Sequence, residues 1–221
     1  MSDEKIQQSK LTITEIYKSI QGESSYTGWP CAFIRLSGCP LRCRWCDTVY
    51  SFKEGQSLSI AEILAQIDDL QVPMVELTGG EPLAQAEAPY LMEQLLGKGY
   101  QVLLETGGSE PVETVPRGVH IIMDIKCPDS GMSERNRWEN LDFLKTSDEL
   151  KFVIASQADF RWASRLVREQ KLSERFTCLF SPAFGLVAPQ QLVEWILADH
   201  LPVRLNMQIH KYIWSPRAKG V

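Results

Sequence analysis

The sequence contains no apolar run near the roughly 18 residues that a bilayer span requires, no Gly/Pro/Ser-rich linker, no low-complexity tract and no internal repeat. No membrane crossing and no repeat architecture are expected. Basic residues fall short of acidic ones, 23 Lys plus Arg against 28 Asp plus Glu for a net charge of −5, and no basic block occurs, so bulk attraction to nucleic acid is not expected. The opening stretch MSDEKIQQSK is polar and of mixed charge, which is not the pattern of a secretory leader and makes the cytoplasm the expected compartment. What is present is an ordinary globular composition. Of the 221 residues, 44% are hydrophobic and 23% charged, and a chain this long can bury about 70% of its unfolded surface. One domain spanning residues 1–221 is expected.

From about residue 30 onward, apolar runs of strand length alternate with segments of helical period. Ser59 and Glu62 form a capping box ahead of Ile60, Ile63, Leu64, Ile67 and Leu70, which line one helical face. Further helices are predicted over 89–96, 138–144, 159–169 and 189–199. Strands are predicted over 31–36, 74–77, 101–104, 120–125, 150–154, 178–181 and 203–209, apolar on both faces as parallel strands covered by helices must be. Residues 107–118 and 127–137 read as loops. Strand then helix, repeated about six times, predicts a parallel α/β fold, and a partial (β/α)6-type TIM-like barrel is favoured over an open doubly wound sheet.

The chemically unusual stretches fall just after predicted strands. SGCPLRCRWCDT follows the first, TGGEP the second and ETGG the third; DIK closes the fourth, SP follows the sixth and QIHK ends the last. Carboxyl ends of parallel strands build active sites, so these stretches are expected to converge on one cavity. Three of the six cysteines, Cys39, Cys43 and Cys46, lie within eight residues. That clustering argues against a disulfide framework, and three thiolates on one loop can hold a metal centre with one position left open. A structural zinc knot is the alternative, but its fourth ligand is hard to find. Cys127 and Cys178 stand alone and read as small core hydrophobes. Arg35 interrupts the apolar strand CAFIRL, and a buried guanidinium needs an internal acid or an anionic ligand; the ligand is favoured here.

CPLRCRWC resembles the three-cysteine signature of the radical S-adenosylmethionine (SAM) enzymes, and TGGEP resembles their glycine-rich motif. More narrowly, SIQGES at 19–24, TGWPCAFIRLSGCPLRCRWCDT at 27–48, LTGGEP at 77–82, LETGG at 104–108 and QIHKYIW at 208–214 resemble the 7-carboxy-7-deazaguanine synthase family. Two departures from its pattern are Ser24, where glycine is expected, and Asp124-Ile125-Lys126, where several relatives carry Ser-Pro-Lys.

The resemblance implies a carbon–nitrogen lyase of queuosine and deazapurine biosynthesis, acting on a small pterin and contracting its ring. Cys39, Cys43 and Cys46 would hold a 4Fe-4S cluster whose fourth iron takes SAM. Trp45, Cys46, Asp47, Gly79, Gly80, Glu81, Glu105, Asp124, Lys126 and Ser181 would contact that cofactor. Thr48 would coordinate Mg2+, and Ile20, Gln21, Gly22, Glu23, Arg35, Thr78 and His210 would read the pterin. The N-terminal strand and loop over 11–30 would contribute to the substrate site. A flavodoxin or similar electron donor and a homodimer are further implications. The residues alone leave alternatives: Glu81 in a turn before a helix, Trp45 as a core aromatic, Thr48 as an N-cap, Glu105 paired with Lys126, and His210 as a satisfied core histidine. An activating enzyme that makes a glycyl radical on a partner protein is the rival activity. A zinc-stabilised binding module is the non-catalytic one.

Overall fold

The capping box forms as the sequence predicts. Ser59 Oγ accepts the Glu62 N–H, the Glu62 carboxylate accepts the Ser59 N–H, and the helix Ile60–Leu70 buries Ile60, Ile63, Leu64 and Ile67. The computed structural model describes residues 2–220. In chain order its regular elements are α1 (Ser2–Gln8), β1 (Lys10–Ile20), β2 (Pro30–Leu36), β3 (Gln56–Ser59), α2 (Ile60–Leu70), β4 (Met74–Gly79), α3 (Ala88–Gly97), β5 (Gln101–Thr106) and β6 (His120–Ile125). There follow β7 (Glu149–Ile154), α4 (Gln157–Glu169), α5 (Leu172–Arg175), β8 (Thr177–Pro182), α6 (Pro189–Ala198), β9 (Arg204–Leu205) and α7 (His210–Ile213).

All nine strands join one sheet in the order β3-β1-β2-β4-β5-β6-β7-β8-β9. From β2 to β9 the neighbours are parallel, while β1 runs antiparallel to β2 and β3. The sheet does not close on itself and is a partial barrel, as expected. Its larger core lies against the helices; a smaller one, of Cys31, Phe33, Met74, Leu103, Ile122 and Leu179, fills the opposite, inner face. Cys127 and Cys178 are buried in the larger core, the small-hydrophobe role expected of them.

Several expectations need correction. The strand pattern begins earlier than residue 30: β1 is 11 residues long, and its alternation is broken by a bulge at Thr14, whose hydroxyl is spent on Ser37 Oγ and the Glu54 carbonyl. The helix predicted over 138–144 is a short 3-10 segment, Trp138–Asp142. Asn140 is drawn inward there, donating to the Gly108 and Glu110 carbonyls and accepting from Val112 N–H, so it staples the preceding loop instead of continuing a helix. The strand predicted over 203–209 shrinks to two residues. Beyond Leu205, Asn206 N–H still donates to the Phe180 carbonyl, but Ile209 N–H donates to the Gly22 carbonyl, so the chain turns away to meet the loop after β1.

Candidate active site

A strand places side chains on alternate faces. Moving two residues along each inner face therefore leads from the small apolar core to a ring of polar groups: from Phe33 to Arg35, from Met74 to Glu76 and Thr78, from Leu103 to Glu105, from Ile122 to Asp124, and from Leu179 to Ser181. Lys151 on β7 takes the same level, since Asp124 is its register partner on β6 and Leu179 on β8. Above this ring lies a cavity of about 650 Å3. All predicted site residues line it except Glu81 and Ser181.

The cysteine loop closes one side. Leu41 is buried beneath it, the Arg44 N–H donates to the Ser130 carbonyl, and the Arg42 guanidinium donates to the Cys39 and Leu41 carbonyls while lying over the Phe52 ring at 4.3 Å. Cys39, Cys43 and Cys46 are free thiols, partly buried. Burial pushes the Cys39 and Cys43 thiols up, opposed by the nearby Lys126 ammonium. Among the described residues no three His, Cys, Asp or Glu side chains converge tightly enough for a single metal ion. Three half-buried thiols beside a lysine suit a larger centre that brings its own positive charge.

Gly79 and Gly80 let backbone pass where no side chain fits. Gly79 has φ +129°, and a Cβ on Gly80 would lie 1.9 Å from the Gly38 carbonyl oxygen. The TGG strand end is thereby pressed against the start of the cysteine loop, with Gly80 N–H on the Leu36 carbonyl and Glu81 N–H on the Gly38 carbonyl. Glu81 itself turns inward. Its fully buried carboxylate accepts from Thr106 Oγ1 at 2.8 Å, Leu83 N–H at 3.1 Å and Gly107 N–H at 2.7 Å, so it clamps β4 to β5 and does not face the cavity. Ser181 is likewise buried, its hydroxyl taken by the Asn206 amide at 2.8 Å.

Asp124 and Lys126 pair at 2.7 Å on the cavity wall. Burial opposes the Lys126 ammonium, but Asp124 reverses the balance and its pKa stands above the ordinary lysine value. Asp124 Oδ1 is buried and has no hydrogen-bond partner. An orphaned carboxylate oxygen beside a cavity suits an ammonium or hydroxyl donor from a ligand. Glu105 pairs with Lys151, not with Lys126, and also accepts from the Thr78 hydroxyl at 3.2 Å. Burial would raise the Glu105 pKa, yet Lys151 and Thr78 hold it below the usual carboxylate range.

Thr48 stands at the N-cap position of the 3-10 turn Val49–Phe52 but makes no side-chain cap bond; its hydroxyl donates to Asp47 Oδ1 at 3.1 Å. The capping alternative therefore does not describe it. Asp47 in turn pairs with Lys211 Nζ at 2.5 Å. Arg35 finds the internal acid, the less favoured of the two expected partners: Nε donates to Glu15 Oε1 at 2.7 Å and a terminal nitrogen to the Tyr17 hydroxyl at 2.9 Å. Glu15 is its cross-strand partner, an acid in the N-terminal strand that the resemblance implies but that the periodicity, read from about residue 30, does not reach.

The loop after β1 makes the opposite wall. Ser24 adopts φ +61°, the left-handed conformation that explains why glycine is expected there, and its N–H donates to Asn206 Oδ1. Gln21 spends its amide inside the protein, donating to Glu76 and accepting from Glu23 N–H. Gly22 lies so close to His210 that a Cβ would meet its Nδ1 at 2.1 Å. Burial pushes the His210 pKa down, against the pull of Glu23. Residues 215–220 complete the lining, with Lys219 Nζ over the Tyr50 ring at 3.9 Å. Sequence reasoning missed Glu76, Lys151 and Tyr17, although Glu76 sits two residues from Met74 and Lys151 two from Val153; Tyr17 faces Phe33 across the β1–β2 pair, which no spacing along its own strand reveals.

Residues 33–125, which carry the cysteine loop and the TGG strand end, match the model of the Radical SAM superfamily. The chain is 48% identical to the 7-carboxy-7-deazaguanine synthase of Koribacter versatilis (strain Ellin345), over 96% of this chain and 100% of that protein. It is 45% identical to the one from Chlorobaculum tepidum, over 97% and 99%. It superposes on the crystal structure of QueE from Escherichia coli with a TM-score of 0.78 at 22% identity, covering 94% of this chain and 98% of that one. The chain belongs to the 7-carboxy-7-deazaguanine synthase family.

Proposed function

We propose that this protein converts 6-carboxy-5,6,7,8-tetrahydropterin to 7-carboxy-7-deazaguanine with loss of ammonia, as a radical SAM lyase. The observation that carries the reading is the single cavity in which the cysteine loop, the TGG strand end, the Glu105 and Asp124 strand ends and the Gln21–Glu23 loop all meet. Relatives that share nearly the whole chain bear the name of that small-molecule synthase, which favours a pterin over the partner protein of a glycyl-radical activator and leaves the zinc-module alternative without support.

In this reading Cys39, Cys43 and Cys46 ligate three irons of a 4Fe-4S cluster. The bound cluster and SAM supply one-electron chemistry that generates a hydrogen-abstracting radical. The chain positions and shields. Gly79 and Gly80 allow close backbone approach to the cofactor, Trp45 packs beside it, and Asp124 Oδ1 and Glu105 accept its donors while Lys126 holds the other Asp124 oxygen. Thr48 offers a hydroxyl to Mg2+, a hard cation that needs substrate oxygen and water to complete its shell. Arg35, steadied by Glu15 and Tyr17, uses its remaining N–H donors on the pterin carboxylate. Glu23, Thr78 and His210 read the ring, with Ile20, Gln21 and Gly22 shaping that wall. Residues 215–220 exclude water from the roof. Glu81 and Ser181 act from behind the lining, as clamp and support.

We further propose that the whole chain acts as one domain in the cytoplasm, as a homodimer fed by a flavodoxin-like donor. Among the described residues no helix is long and apolar enough to cross a membrane. The test is anaerobic incubation of reconstituted protein with reductant, SAM, Mg2+ and the carboxylated pterin, followed by product mass. Appearance of the deazaguanine acid supports the reading; SAM cleavage without it refutes it.

A further inference from the structure

Lys151 is buried on β7, 5% exposed, in the midst of an apolar strand. Its ammonium contacts carboxylates from two separate parts of the cavity lining: Glu23 Oε2 at 3.1 Å in the loop after β1, and Glu105 Oε1 at the end of β5. Glu76 on β4, Asp124 on β6 with Lys126 just beyond it, Asp47 in the cysteine loop, and His210 and Lys211 on α7 are the other titratable groups around these three. Lysine has three N–H donors, and the two carboxylates take two of them. The third has no protein acceptor among the described residues. We propose that Lys151 is a positioning residue for the pterin site, a single ammonium that holds the Glu23 and Glu105 carboxylates at a fixed separation and offers its remaining N–H to the ligand.

Glu23, Glu76 and Glu105 bring three carboxyls to one buried floor, and like charges that close cannot all ionise without a cation among them. Glu76 answers by holding its proton: burial, and then Glu105, push its pKa well up. Glu23 and Glu105 answer by sharing Lys151. Together they present two anionic acceptors flanking a cationic donor. A flat heteroaromatic edge with N–H groups on either side of a carbonyl oxygen would satisfy all three. This deepens the proposed function and rests on it. Neutralising Lys151 leaves two part-buried carboxylates side by side with no cation between them, so one of them loses its acceptor role to protonation and the other is free to swing.

The test compares wild type, Lys151→Met and Lys151→Arg, each with its cluster reconstituted anaerobically, by calorimetric titration with the carboxylated pterin between mildly acidic and mildly alkaline pH. Removing one partner of a buried charge group should weaken binding about 100-fold or more for Lys151→Met, while Lys151→Arg stays within about tenfold of wild type. The Lys151→Met affinity should also acquire a pH dependence that wild type lacks, because a carboxylate freed from its cation titrates upward. A merely structural lysine would lower thermal stability without creating that dependence. A folded Lys151→Met protein with pterin affinity within about threefold of wild type, or with the wild-type pH profile, overturns the inference. Should Lys151→Met fail to fold, Lys151→Arg decides: affinity within about tenfold supports the inference, and a loss beyond about 100-fold overturns it. Failure of wild type itself to bind the pterin refutes the proposed function instead.

Discussion

Glu81 separates a clamp from a ligand, and substitution by glutamine distinguishes them. Its carboxylate accepts three hydrogen bonds with no exposure to solvent. Glutamine can keep one oxygen toward Leu83 N–H and Thr106 Oγ1. Its NH2 then faces Gly107 N–H, donor against donor. One buried backbone N–H loses its acceptor, at about 1–3 kcal/mol, and the new NH2 gains none. Against this stands relief of a buried charge, since burial raises the Glu81 pKa despite its three donors. A net loss of about 3 kcal/mol should lower the melting temperature of a chain this size by roughly 6–12 °C, measured on apo protein by circular dichroism. The pH dependence has a definite sign. A carboxyl whose folded pKa is raised contributes stability that is complete below its unfolded value and is lost as pH rises toward the folded value. Wild type should lose stability over that rising interval, and Glu81→Gln should lose less. An unchanged melting temperature together with a weakened grip on SAM would refute the clamp and restore Glu81 as a cofactor ligand.

Three other perturbations test neighbouring parts of the site. Gly80→Ala drives a Cβ to 1.9 Å from the Gly38 carbonyl oxygen, and the cysteine loop must move; iron retained per chain after reconstitution and desalting should fall, and full retention would contradict the close approach. Thr48→Ala should leave cluster absorbance intact while raising the Mg2+ concentration for half-maximal turnover about tenfold, and an unchanged Mg2+ titration would remove Thr48 from the metal site. Arg35→Met leaves the part-buried Glu15 without its cation, so a loss of about 3 kcal/mol is expected in urea unfolding, together with a raised KM for the pterin. A raised KM without destabilisation would mean the Glu15 pair contributes little, and destabilisation at constant KM would confine Arg35 to a structural role.

Much of the site was legible because its residue types are rare at their spacing. Three cysteines in eight residues and a TGG after an apolar strand announce a rim of strand ends, and the parallel sheet follows from near-continuous apolar runs. Pairwise assignments were not legible. Arg35 in CAFIRL signals a buried cation, but its acid lies on an antiparallel strand whose alternation is interrupted at Thr14. Glu105 reads as a partner for Lys126 at the end of the adjacent strand, but Lys126 is taken by Asp124, and Glu105 pairs with Lys151 from β7, two strands away. Lys151 itself reads as an ordinary polar position in ELKFVI, although it lies between the inward-facing Glu149 and Val153. The 138–144 stretch has helical periodicity, yet a single asparagine with three backbone partners overrides it.

The proposed function requires Cys39, Cys43 and Cys46 to hold a 4Fe-4S cluster through three of its irons, with the fourth left to SAM. Mössbauer spectroscopy of 57Fe-reconstituted protein, recorded before and after adding SAM, addresses it most directly. The account predicts one 4Fe-4S cluster per chain, with a quarter of the iron signal shifting when SAM binds and the whole signal absent in Cys43→Ala. A colourless protein holding one tightly bound zinc at the same three cysteines, or a cluster whose four iron sites ignore SAM, would contradict it.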